Sequence, residues 1–146
     1  MLGFSWRAAH HTLVDPALCY AEMLKAAAAE LLQRLPGPRT PRWPEGERFA
    51  AAFGHGSLQV ELYAPAGRDP QTPHERDEVY FVLAGSGDFV AAGERTSFRA
   101  GDALFVAAGV AHRFENFSAD FCTWVVFYGP IGGERQPDPP HGPAPC

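Results

Sequence analysis

The stretch PHERDEVYFVLAGSGDF, residues 73–89, opens with His74, Glu75, Arg76, Asp77 and Glu78 and then passes directly into apolar residues. Imidazoles and carboxylates are the side chains that bind divalent transition metals, and imidazoles exchange protons near neutral pH. Whether His74 and Glu78 act together depends on the path of the chain. On one continuous strand, ~3.3 Å per residue would set them about 13 Å apart, too far to share one ion. The sequence therefore predicts a turn at Glu75-Arg76-Asp77, with His74 ending one strand, Glu78 beginning the next, and both pointing to one side. On this reading Glu75, Arg76 and Asp77 are exposed, and Asp77 is the reserve carboxylate should the register differ by one. Taken singly, a histidine before a strand is more often a surface residue than a ligand.

The elements that must position these groups change character near residue 49. Upstream, the sequence predicts a helix with Asp15 as N-cap and Pro16 in the first turn. Tyr20, Leu24, Ala27, Leu31 and Leu35 form its apolar stripe, and Pro36-Gly37-Pro38 ends it. Downstream, the period falls to 2: Leu58, Val60 and Leu62 alternate with Gln59, Glu61 and Tyr63, and Val79, Phe81 and Leu83 alternate with Glu78, Tyr80 and Val82. Further short strands are expected at 87–92, 95–99, 103–107, 111–116 and 121–128, divided by glycine-bearing turns and by Ser118-Ala119-Asp120. Seven or so such strands imply a sandwich or barrel. The domain reading is a strap and helix over 1–48, a β-barrel over 49–130 and a proline-rich tail over 131–146.

Two spaced motifs carry a resemblance. Residues 101–116, GDALFVAAGVAHRFEN, place Gly101, Gly109, His112 and Asn116 at the intervals of the second motif of the cupin superfamily, with Ala107 where proline is usual. In register with its first motif stand Gly67, His74, Glu78 and Gly85, whereas Thr72 occupies the position of the first histidine. The two motifs and the gap between them span 67–116, and the strand pattern extends the likeness to about 49–130. The resemblance implies an all-β fold, the double-stranded β-helix or jelly-roll barrel, here with one N-terminal α-helix. It also implies His74, Glu78 and His112 as metal ligands. Two imidazoles and one carboxylate suit Fe, Mn, Ni, Co or Zn and leave coordination positions open. Thr72 is a poor ligand for such metals and is expected to bind a water or to pack; Gln71 is the other candidate for an additional site residue.

Composition narrows the partners. Among 146 residues, 17 acidic against 12 basic side chains leave a formal charge of -5, the wrong sign for a surface that neutralises nucleic acid or anionic lipid. Cys19, Cys122 and Cys146 are scattered without paired spacing, which argues against a disulfide framework or a cysteine zinc site. His10, His11, His55 and His141 match no motif. No apolar run reaches membrane-spanning length, and the first residues lack the apolar stretch of a signal peptide, so a cytoplasmic protein is expected. Inward parity on the last strand belongs to Phe121, Thr123, Val125 and Phe127, which would make a largely apolar cavity for a small organic molecule. The opposite face of that strand, Cys122, Trp124, Val126 and Tyr128, is also apolar and calls for a cover that the N-terminal helix would supply in part. The likeness to cupins adds a homodimer.

Cupins host many chemistries, so the fold does not select one. The first expectation is a metal-dependent enzyme of the oxygenase or isomerase type acting on a small organic substrate. The alternative is a non-catalytic sensor or binding module that holds a metal or a small molecule, favoured by the missing first histidine.

Overall fold

The computed structural model describes residues 23–136. One helical turn, α1 (Ala28–Leu32), precedes eight strands: β1 (Phe49–His55), β2 (Leu58–Tyr63), β3 (Asp77–Ala84), β4 (Ser86–Ala91), β5 (Glu94–Arg99), β6 (Ala103–Val106), β7 (His112–Glu115) and β8 (Cys122–Tyr128). All pairings are antiparallel. They build a five-stranded sheet in the order β1-β2-β8-β3-β6 and a three-stranded sheet in the order β5-β4-β7. The fold is the all-β cupin barrel, as expected, with one short helix among the described residues.

Alternation explains why the two sheets close on each other. Along β3, Glu78, Tyr80 and Val82 are buried, whereas Phe81 and Leu83, of the opposite parity, are exposed. Every strand contributes at least one side chain to a single core between the sheets. Its centre is Phe114 on β7, whose ring lies 4.7 Å from Phe121, 4.9 Å from Phe89 and from Tyr80, and 5.2 Å from Phe98. Tilted and edge-on contacts of this kind favour the aromatic quadrupoles.

Residues read from the motifs have local backbone reasons. Gly85 turns β3 into β4 at φ +85°, and a Cβ there would fall 2.6 Å from the Cα of Phe121. Only glycine permits that close approach. Asn116 also adopts a positive φ, 51°, and its side-chain amide donates to Asp88, a geometry asparagine tolerates better than most residues.

Of the described part of the predicted helix, residues 23–35, only Ala28–Leu32 is helical. Residues 23–27 are not helical: Met23 and Lys25 are exposed, Leu24 and Ala26 half-buried, an alternation of two rather than 3.6. Ala27, at φ -98° and ψ 126°, begins the single turn with no side-chain cap. Without a cap, such a turn owes its stability to packing. Leu31 supplies it by burying itself against Ala50 on β1 and Leu62 on β2, with Ala26, Ala28, Leu35 and Trp124 at the margin. The helix thus covers part of the outer face of β8, through Trp124. Asp15, Pro16 and Tyr20 lie outside the described residues, as do His10, His11, Cys19, His141, Cys146 and the tail from 137 onward. Cys122 is free and buried, and His55 is exposed at the end of β1. β1 was not delimited in advance because FAAAFGH contains too many small residues for a clear alternation. No described helix is long and apolar enough to cross a membrane.

Candidate metal centre

The three motif ligands come from three places. Glu78 is the second residue of β3, facing inward, paired with Val106 of β6 and Phe127 of β8. His112 opens β7 and pairs with Ala91 of β4, so it reaches the same space from the other sheet. His74 lies in the loop between β2 and β3 and not, as the sequence predicts, at the end of a strand. A strand is unnecessary because the loop is pinned directly: the Gly109 N–H donates to the His74 carbonyl at 2.7 Å, and the His74 ring meets Phe127 edge-on at 4.8 Å. The second motif thereby anchors the first.

Asp77 also departs from expectation. It belongs to β3 and is buried, whereas only Glu75 and the partly exposed Arg76 form the bend. The Asp77 carboxylate accepts the backbone N–H groups of Ala108 at 2.9 Å and Glu134 at 2.7 Å. Its role is to tie the turn before β7 and the chain beyond β8 to the start of β3.

At the centre, Glu78 Oε2 stands 2.7 Å from His74 Nδ1 and 3.2 Å from His112 Nε2. One ligand atom from each of these residues falls within 4.8 Å of the others. The His112 Nδ1–H donates to the Val110 carbonyl at 2.7 Å, which leaves Nε2 to face the cluster. A carbonyl hydrogen bond of this kind is how metal-bound imidazoles are commonly oriented. Glu78 Oε1 is buried and has no hydrogen-bond partner among the described residues. An orphaned carboxylate oxygen in such surroundings is unfavourable unless something electropositive meets it. The donor set, the oriented imidazole and the orphaned oxygen together fit a divalent metal ion.

A small cavity of about 30 Å³ adjoins the cluster. That is room for very few water-sized groups. In register across β2, β8 and β3, Glu61 is opposite Val125, and Val125 opposite Tyr80. Neighbouring strands lie about 4.8 Å apart, so Glu61 and Tyr80 face each other over roughly 10 Å, with Val125 and Phe127 as an apolar floor. Trp43 and Arg42, from the segment before β1, line the cavity from the other side.

The polar wall is a connected network. Tyr80 Oη lies 3.0 Å from both Gln71 Oε1 and His112 Nε2. Asp69 accepts from the Tyr63 hydroxyl, from the Gln71 amide Nε2 at 2.6 Å and from the Phe114 backbone N–H at 2.7 Å. The Gln71 side chain is therefore held between Tyr80 and Asp69. Thr72 lines the cavity, and its Oγ1 accepts a hydrogen bond from Arg42 Nη1 at 3.2 Å.

Burial and charge set the protonation states. Burial alone would raise the Glu78 carboxyl, but hydrogen bonds and charge from His112 and His74 outweigh it and hold the group at about 2. Desolvation pulls His112 down, yet the Glu78 hydrogen bond and charge carry it above its ordinary value. Glu61 has no such support: burial first, then the charges of Glu78 and Glu47, push it up to about 8. Burial and nearby carboxylates also raise the Tyr63 and Tyr80 hydroxyls well above their usual range. At neutral pH the cavity therefore faces an ionised Glu78 and a protonated Glu61.

Glu61, Tyr63, Asp69, Tyr80, Arg42 and Trp43 were given no role by sequence reasoning. For Glu61 and Tyr63 a signal existed: they share the parity of β2, and a glutamate one residue before a core leucine is an odd choice for a buried strand. Asp69, Arg42 and Trp43 sit in irregular segments with no period to place them.

An antiparallel two-sheet barrel carrying an inward His-Glu-His cluster near one end defines a class. Residues 59–128 match the Cupin domain family, and the chain belongs to the cupin superfamily. It is 43% identical over 76 residues to the uncharacterized protein SCO3923 of Streptomyces coelicolor, an alignment covering 51% of this chain and 72% of that protein. Among solved structures, it resembles a Cupin 2 conserved barrel domain protein from Salinispora arenicola, with 16% identity, a TM-score of 0.52, and 75% of this chain and 90% of that one covered. A cupin protein from Bacteroides fragilis is 24% identical with a TM-score of 0.39, covering 49% of this chain and 64% of that one. The likeness to the Salinispora arenicola structure is one of fold.

Proposed function

We propose that this protein is a metal-binding cupin that acts on a small organic molecule, as a metal-dependent enzyme of the oxygenase or isomerase type. The carrying observation is the convergence of His74, Glu78 and His112 beside a cavity also lined by the buried Glu61, whose carboxyl burial pushes up. A divalent transition metal held by these three residues supplies Lewis-acid polarisation of a ligand oxygen and, in the case of iron, redox chemistry. The chain's own residues do the remainder. His112 is oriented by Val110, Val125 and Phe127 exclude water from the floor, and Glu61 is placed to give a proton to, or take one from, a molecule lying between it and the metal ligands.

The test is turnover of small acids, diketones and phenols by metal-loaded protein, with His112→Ala and Glu61→Gln alongside. Activity abolished in His112→Ala, and depressed with an altered pH profile in Glu61→Gln, is the expected result. Ligand binding by the loaded protein without turnover of any compound would move the assignment to the alternative, a non-catalytic binding or sensor module. Thr72 in the place of the first motif histidine is the observation that favours that second reading.

The proposal includes a homodimer. α1 covers the outer face near β1, β2 and β8, whereas Phe81, Leu83 and Phe105 on the outer face of β3 and β6 are exposed. A second copy would bury them. Light scattering should give twice the chain mass, and one chain mass for Phe81→Lys combined with Phe105→Glu.

A further inference from the structure

We propose that Asp77 is a positioning residue of the His74–Glu78–His112 cluster, fixing both imidazoles through a single backbone turn. Its effect on metal affinity rests on the proposed metal-binding function; its geometry does not. Asp77 has the parity of Val79 and Phe81, on the outward side of β3, yet it is only 4% exposed. A carboxylate buried there is costly unless donors meet its oxygens. Both are met, Oδ1 by the Ala108 N–H at 2.9 Å and Oδ2 by the Glu134 N–H at 2.7 Å.

The turn that Asp77 grips does its work in the next two residues. The Gly109 N–H holds the His74 carbonyl at 2.7 Å, and the Val110 carbonyl orients His112 by accepting its Nδ1–H at 2.7 Å. The Val110 N–H closes the turn on the Ala107 carbonyl at 3.2 Å, so these groups move as one. His74 belongs to a loop, with no strand ladder to set its height, and Glu78 follows Asp77 directly in β3. All three candidate ligands are thus referred to one carboxylate.

The chain beyond β8 completes the grip from outside. A Cβ on Gly133 would fall 2.7 Å from Asp77 Oδ1 and 3.2 Å from the Ala108 Cβ, and its φ is +88°. Only glycine permits that approach. The Gly132 N–H donates to the Glu75 carbonyl at 2.7 Å, within the bend that separates His74 from Glu78. Residues 129–134 line no part of the cavity, yet they cover the carboxylate that sets the ligands. Removing a direct hydrogen-bond partner of a metal ligand costs about 10–100-fold in affinity. Asp77 acts one step further out but on two ligands at once, so a loss of about tenfold is expected.

The experiment measures the Zn(II) affinity of the full chain by competition titration and the ligand-field absorption of the Co(II)-loaded chain. The His74 and His112 ring resonances of the metal-free chain are followed by NMR. Asp77→Ala should weaken Zn(II) about tenfold, change the Co(II) spectrum and displace both ring resonances. Asp77→Asn, which keeps one acceptor, and Gly133→Ala, which keeps the charge, should fall between it and the wild type. Ser57→Ala releases the Gly129 N–H at the start of the same segment without touching Asp77, and should change none of these readouts. While each metal-free variant stays fully folded, lost stability does not enter the affinity, so affinity and Co(II) spectrum read positioning. Should Asp77→Ala fail to fold, Asp77→Asn and Gly133→Ala decide. Wild-type affinity in the Asp77 and Gly133 variants, or equal weakening by Ser57→Ala, would overturn the role of Asp77 while the metal site stands. If the wild type binds no Zn(II), the metal reading falls. Ring resonances displaced in Asp77→Asn and Gly133→Ala but not in Ser57→Ala would then uphold the positioning, and undisplaced ones would overturn it too.

Discussion

The barrel interior has two ends built by the same alternation and filled in opposite ways. Toward one end, Phe98, Phe114 and Phe121 stack with Phe117 in a dry cluster with no polar side chain among them. Toward the other, still in contact with Phe114 through Tyr63 and Tyr80, sit Glu61, Glu78, His112, Asp69 and Gln71. The first end holds the two sheets together. The second end buries carboxyl groups that a stability-optimised core would replace with apolar side chains. Such a polar end, supported by the apolar cluster beside it, is what the proposed site requires.

Removing the pivot of the apolar end should have the largest effect. Phe114→Ala takes a ring out of contact with five other aromatic residues, and should lower unfolding free energy by about 3–5 kcal/mol in denaturant titrations. Relieving the polar end should do the reverse. Glu61 has a folded-state value of about 8 against an ordinary 4.5, so between those pH values the folded chain holds a proton that the unfolded chain has lost. Stability of the metal-free protein should therefore fall as pH rises through that window. Glu61→Gln removes this dependence, matching the wild type near pH 4.5 and exceeding it by roughly 3–5 kcal/mol above the folded value. Equal pH slopes for the two proteins would remove the argument that Glu61 is a strained, proton-holding group.

A smaller effect, read on binding rather than folding, concerns the ligands. His74→Ala should weaken Zn(II) affinity at least about 100-fold, since changes even outside the coordination sphere reach that size. His74 is only half-buried, so the accompanying loss of stability in the metal-free protein should be modest. Metal affinity should also decline as pH falls. His112, raised by Glu78, keeps a proton at the nitrogen that faces the cluster, and that proton competes with the metal for the same lone pair. Competition titrations at several pH values would read this directly.

Much of this contrast was legible in the sequence. Period-two alternation located seven of the eight strands, and the inward parity of Phe121, Thr123, Val125 and Phe127 agrees with their burial. The resemblance to the two cupin motifs implied His74, Glu78 and His112 together as ligands. What could not be read were tertiary matters. Within the described part of the predicted helix, only Ala28–Leu32 is helical, and there tertiary packing of Leu31 rather than the alanine-rich pattern of residues 23–27 decides where the turn forms. Asp77 looked like a turn residue because its partners, the amides of Ala108 and Glu134, are distant in sequence. The cavity wall of Asp69, Gln71, Thr72 and Arg42 is assembled from loops, where no periodicity reports which way a side chain faces.

The most direct test of the metal centre is metal content per chain, by elemental mass spectrometry on untagged protein, measured beside His74→Ala and His112→Ala. Near-stoichiometric divalent transition metal in the wild type, lost in both variants while their folds persist, is the predicted result. Protein that stays empty after anaerobic reloading, or variants that retain the metal, would contradict the assignment of His74, Glu78 and His112 as its ligands.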